Sequence, residues 1–141
     1  MSFPKSPYEK TGGIYYFARM CDKIRLQAKG ELPADYHDNL GKGFDLRCTD
    51  LLHACYKDVD RLVRKGMKDD EVLQWCFSES GGLSEDQIMI WNEFMRKRGW
   101  NDEAAEILQR RKKEGGFENR TDIVTMFDFI DLDEGRDPAK R

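Results

Sequence analysis

The chain has 141 residues, of which 39% are hydrophobic, 36% charged and 11% aromatic. A chain of that length buries roughly 68–70% of its unfolded surface, and its aromatic content excludes a disordered chain. A net charge of −3 supplies no global field for polyanions, no apolar run approaches the roughly 18 residues of a membrane span, and Met1–Pro7 lacks the apolar stretch of a signal peptide. A highly charged, globular, cytoplasmic protein is expected.

Nearly every periodic segment reads as helix. The first is expected over about Gly13–Ala28, where Ile14, Phe17, Cys21, Ile24 and Ala28 recur on one face. Gly30 and Pro33 end it, and a turn-rich stretch to Gly43 follows. A second helix, about Phe44–Cys55, turns Phe44, Cys48, Leu51 and Cys55 inward. A third, about Lys57–Lys65, buries Val59, Leu62 and Val63 and stops at Gly66. A fourth begins at Asp69 or Asp70 and runs through Phe77.

After the linker-like Ser78–Gly82, the clearest start signal appears. Ser84 and Gln87 form a capping box, with Glu85 and Asp86 in the first turn, where the helix dipole favours acids. That helix runs to Arg98 with Ile88, Trp91 and Met95 inward, and Gly99 stops it. A sixth helix follows from Asn101 or Asp102 to about Lys113, and Thr121 is expected to cap a seventh. No segment alternates at period two. The expected fold is all-α: a compact bundle of six or seven short helices without significant sheet. It is expected as a single domain over 1–141, with a core, 1–80, and a helical extension, 81–141, packed on it with a frayed end from Gly135.

Charge is segregated along the chain. Residues 1–70 carry 13 basic and 11 acidic side chains, and residues 71–141 carry 11 and 16. In the second half a basic segment, Arg96–Lys113, precedes a stretch with eight acids between Glu114 and Asp137. The blocks are expected to pair with each other or to form solvated faces. The four cysteines (Cys21, Cys48, Cys55, Cys76) include no Cys-x-x-Cys pair, and only His37 and His53 accompany them, so no metal site and no cofactor are expected. Asp131–Asp137 fails the spacing of a calcium loop.

The informative anomaly lies on the first helix. Arg25 falls inside the apolar arc, where an unpaired charge is too costly; Asp45 or another acid after the turn is the expected partner. Arg19, Asp22 and Lys23 lie on the adjoining flank, and the Thr11–Gly13 and Tyr36–Asp38 loops are able to return to this surface. The candidate ligand-binding set is therefore Arg19, Asp22, Lys23, Arg25, Tyr36, His37 and Asp45, with His37 the candidate catalytic acid or base. A purely structural salt-bridge cluster explains the same residues.

Ser6-Pro7, Gly12-Gly13, Ala18-Arg19-Met20, Asp22-Lys23, Arg25, Gly30, Tyr36-His37, Asp45 and Trp75 follow at spacings resembling a bacterial family, domain of unknown function 5069. The likeness covers about residues 4–98. It implies no activity, cofactor or partner. Members of that family carry a Cys-Pro pair where this chain has Asn39–Gly43, and the tail from about Gly99 resembles an addition found in part of the family.

Three functions follow as expectations. The first is a non-enzymatic binding or interaction protein with an anion-binding cluster on helix one. The second is a small enzyme acting on an anionic metabolite through His37. The third is an RNA- or ribosome-associated protein using Arg96–Lys113. DNA reading is disfavoured, because Asp102, Glu103 and Glu106 open the second helix of that pair. Ile90 and Phe94 fall off the main apolar face, which points to a homodimer or protein partner through Trp91–Trp100.

Overall fold

The computed structural model describes residues 2–141. Among them are seven α-helices and one two-stranded antiparallel hairpin, in the order β1 (Lys10–Thr11), β2 (Ile14–Tyr15), α1 (Phe17–Ala28), α2 (Phe44–Leu51), α3 (Tyr56–Arg64), α4 (Asp69–Ser80), α5 (Glu85–Lys97), α6 (Ala105–Glu114) and α7 (Met126–Asp133). Short 3-10 turns occupy Ala34–Asn39 and Pro138–Lys140. The all-α bundle expected from periodicity is the fold. No helix among the described residues is long and apolar enough to cross a membrane. The chain forms two compact units, residues 1–88 and 89–141.

In the first unit α1 packs most extensively against α3 and also meets α4 and β1. Its apolar stripe, Phe17, Met20, Cys21 and Ile24, is fully buried or nearly so, together with Val59 of α3 and Val72 of α4. The helix starts at Phe17 rather than Gly13, because Lys10–Tyr15 is spent on the hairpin. Its register, Lys10 opposite Tyr15 and Thr11 opposite Ile14, leaves Gly12-Gly13 as a two-residue turn. Both glycines have positive φ (57° and 83°), as a tight hairpin of this kind demands. Gly12 also lies so near α4 that a Cβ would stand 2.5 Å from Leu73 Cδ2.

α2 is shorter than its periodicity predicts. It ends at Leu51, and Cys55 precedes α3 as an exposed residue instead of facing inward. α4 begins at Asp69 as expected, and Glu71 reaches back to accept from the Lys68 amide at 2.9 Å. The Ser84–Gln87 capping box forms reciprocally: the Ser84 amide donates to Gln87 Oε1 (2.8 Å) and the Gln87 amide to Ser84 Oγ (3.1 Å).

In the second unit α6 packs on α7. Leu108, Ile123 and Phe127 are fully buried there, and Gly99 (φ 103°) turns the chain after α5. Asp102 accepts from the Gly99 and Ala104 amides, so it closes the turn before α6. Thr125, not Thr121, caps α7, accepting from the Asp128 amide at 3.2 Å. The expected frayed end is tied down: Arg120 grips Asp137 through two hydrogen bonds of 2.9 and 2.7 Å, and Arg141 reaches Asp128 and Asp131.

Candidate functional site

α1 is buried on two faces, one apolar and one polar, and the polar one begins at Tyr16, the residue before the helix. At about 100° per residue, Tyr16, Arg19 and Lys23 fall within about 60° of one another, roughly 120° round from the centre of the apolar stripe. A polar face there normally meets water. Here the chain leading into the hairpin and the loop after α1 cover it, so Arg19 and Lys23 are 5% and 7% exposed.

Burying a cation requires a partner, and Lys23 finds it in Asp45, at the start of α2. Lys23 Nζ lies 2.7 Å from Asp45 Oδ1 and donates to the Tyr16 hydroxyl at 3.0 Å. The Tyr16 hydroxyl in turn donates to Asp45 Oδ1 at 2.7 Å, and the Gly41 amide donates to Oδ2 at 2.9 Å. The loop Asn39–Gly43 therefore supplies a backbone donor to the buried carboxylate. Burial pushes the Tyr16 phenol well above its ordinary pKa, and the negative charge of Asp45 pushes it further. The phenol stays protonated and bridges the two charges. Tyr16 holds a positive φ of 82°, uncommon for a side chain of this size; its amide bonds to Pro7 O at 3.1 Å and its carbonyl accepts from Met20.

Arg19 extends from the same face, donating to the Lys5 carbonyl at 3.0 Å and lying 6.0 Å from the centre of the Tyr36 ring. The sequence signals placed Arg19, Lys23, Tyr36 and Asp45 in one neighbourhood but passed over Tyr16. Its spacing of seven from Lys23 was the available signal.

Arg25 belongs to a second, more open cluster. The acid that meets it is Asp69, the first residue of α4, and not Asp45; its guanidinium bonds to Asp69 Oδ1, with Asp22 3.9 Å away. Lys5 joins the same acids: its amide donates to Asp22 Oδ2 at 2.9 Å and its ammonium lies 3.8 Å from Asp69 Oδ2. Asp69 occupies a helix N-terminus, which favours its negative charge. The group borders an open cleft of about 290 Å³ lined by Lys5, Arg25, Gly66, Met67, Lys68 and Asp69. Lys5, Met67 and Lys68 were not among the expected site residues; no periodicity carries them, because they lie in connecting segments.

His37 joins neither cluster. It sits exposed on the 3-10 turn, its Nε2 3.0 Å from the Leu32 carbonyl, and it does not line the cleft of Arg25. The Thr11–Gly13 segment, expected as a loop returning to this surface, belongs to the hairpin and its turn.

The Arg96–Lys113 segment is largely engaged. Arg96 and Lys97 meet Glu93, Arg98 lies 3.4 Å from Asp102, and Arg110 lies 3.9 Å from Glu114. Lys112 is buried and donates to the Ile123 carbonyl at 2.9 Å. The acidic stretch pairs chiefly with its own arginines: Arg120 with Asp122 and Asp137, and Arg136 with Asp131 and Glu134. No group of three or more metal-ligating side chains suited to an ion occurs among the described residues.

No curated protein matches the chain significantly. A family model does match, over residues 1–136, so the likeness runs past residue 98 and through the tail. With the helix-one residues and the tail both inside that match, the chain belongs to the family described as Domain of unknown function (DUF5069).

Proposed function

We propose that the chain is a binding protein that takes a small carboxylate or phosphate in the cleft beside Arg25. One observation carries this reading: Lys5, Arg25 and Lys68 line a single concavity in which Asp69 is the one acidic lining residue. The lining itself carries three cations against that one acid; Asp22 and Glu71 stand beside it, with Glu71 committed to the Lys68 amide. Arg25 is held in place by Asp69 and Asp22, so its planar guanidinium is pre-oriented for an oxyanion. Lys5 and Lys68, on flexible stems, are able to close on the ligand as point charges. Arg19 and Lys23 take structural parts in this reading, because their polar ends are turned to the Lys5 carbonyl and to Asp45.

The test is thermal unfolding with inorganic phosphate, citrate and ATP as probes. A ligand at 100 times its Kd stabilises by about 2.7 kcal/mol. The expected result is a shift with at least one probe that the Lys5→Ala/Lys68→Ala double variant loses while its ligand-free melting temperature stays near wild type. No shift with any probe, or a shift the double variant keeps, would overturn the reading.

A further inference from the structure

α5 lies far along the chain from the cleft residues. Trp91 and Met95 are its buried residues. On the opposite face Asp86, Met89, Ile90, Glu93, Phe94 and Lys97 recur at spacings of three and four and form one stripe. Apart from Glu93, which Arg96 pairs, its centre is apolar and open to solvent: Met89 is 53% exposed, Ile90 61% and Phe94 39%. Its ends carry opposite charge, Asp86 at the N-terminal end and Lys97 at the C-terminal end.

A stripe of this form is complementary to itself when reversed. In an antiparallel pair of identical helices with a two-fold axis between residues 91 and 92, each residue faces one whose number sums with its own to 183. Asp86 then faces Lys97 of the other copy, and Met89 faces Phe94. Ile90 of each copy, beside the axis, faces Glu93 of the other, whose carboxylate is taken up by Arg96 of its own chain. Both ends of the helix thus gain an opposite charge, and the apolar centre of one copy covers that of the other. The ion pairs of the single chain permit this. Asp86 has no ion pair among the described residues, and Glu93 is held by Arg96 through two hydrogen bonds, so Lys97, 3.7 Å from Glu93, is free to turn to a second carboxylate. A parallel pair sets Asp86 against Asp86 and Lys97 against Lys97 and is repelled at both ends.

We infer that α5 is a self-association surface and that its occupant is a second copy of this chain, docked antiparallel through Ile90 and Phe94 with Asp86–Lys97 pairs at both ends. One helix face belongs to the small class of interfaces, below about 1,200 Å², so the dimer is weak and depends on concentration.

Sedimentation equilibrium of the full chain from about 5 to about 500 µM spans the range expected of such an interface. The expected result is a monomer–dimer equilibrium that Ile90→Asp shifts to monomer at every concentration with helicity unchanged. Should that variant misfold, Lys97→Glu, at an exposed position, weakens the dimer several-fold, and adding Asp86→Lys to it restores association. Zero-length carbodiimide cross-linking reads the geometry. Asp86 and Lys97 of one helix are about 16 Å apart, so an Asp86–Lys97 link forms only between copies, while a Glu93–Lys97 link within one chain serves as the control. Monomer throughout, a dimer that keeps its strength in Ile90→Asp or in Lys97→Glu, or a dimer without the Asp86–Lys97 link would each overturn the inference.

Discussion

Tyr16 and Lys23 show how one side chain settles the fate of another. Lys23 neutralises a carboxylate that has no exposure at all, and breaking a buried ion pair by removing one partner costs about 3–5 kcal/mol. Lys23→Met is therefore expected to lose stability of that order in urea unfolding. Lys23→Met/Asp45→Asn should lose less than the sum of the single variants, because the amide oxygen still accepts from Tyr16 and no charge is stranded, at the cost of the Gly41 amide's acceptor; simple additivity would contradict a coupled network. The cysteines give a second check. Cys55 is exposed and Cys21, Cys48 and Cys76 are buried, so a thiol reagent at pH 8 should label one cysteine in the native protein and four in denaturant. Burial pushes the Cys76 thiol up to about 11 from 9.0. A raised acid pKa means that stability is fully present below about pH 9 and is lost as pH rises from about 9 towards about 11; urea melts at pH 8 and pH 10.5 should differ in that direction.

At the scale of elements, local chemistry governs the ends of helices. Replacing Ser84 by Ala removes one half of a reciprocal cap and should cost about 1 kcal/mol, read from the urea midpoint at constant slope. Gly99→Ala should cost more than that, because φ is 103° and a Cβ would stand 3.1 Å from the backbone nitrogen of Met126. Such features were legible beforehand: the Ser84–Gln87 box, the Gly66 and Gly99 stops and the stripe of α1 lie within a few residues of the groups they act on. The hairpin was missed, although Gly-Gly between short segments is a hairpin signal. It was hidden because Ile14 continues the helical stripe of α1. The cap of α7 was misplaced from Thr125 to Thr121 because both threonines precede the same apolar run, and only the turns before it decide which one meets the first amides.

For the whole molecule, long-range partners decide what a polar residue does. The end of the chain is an instance. Arg120 holds the Asp137 carboxyl down at about 2, against the 3.8 of a free side chain, and Asp137 also accepts from the Ala139 amide. A depressed carboxyl pKa means that this tether is intact above about pH 4 and is released as pH falls towards about 2. The Ala139 amide resonance should report a midpoint near 2 by NMR, and Arg120→Ala should move it up towards the free carboxyl value, with the Ala139 amide still holding it below that value. By itself the sequence determined the helical class, most helix starts and stops, the apolar stripes and the neighbourhood of Arg19, Lys23, Tyr36 and Asp45, because periodicity, caps and turns act over distances of a few residues. Tertiary structure alone decided that the polar face of α1 is covered, that Asp45 belongs to Lys23 and Tyr16, and that Arg25 belongs to Asp69. Those partners lie 29 and 44 residues apart for Tyr16–Asp45 and Arg25–Asp69. A buried charge must find an opposite one, but which of several acids it meets is fixed by the packing of α1 against α3 and α4 and by the loops that close over it.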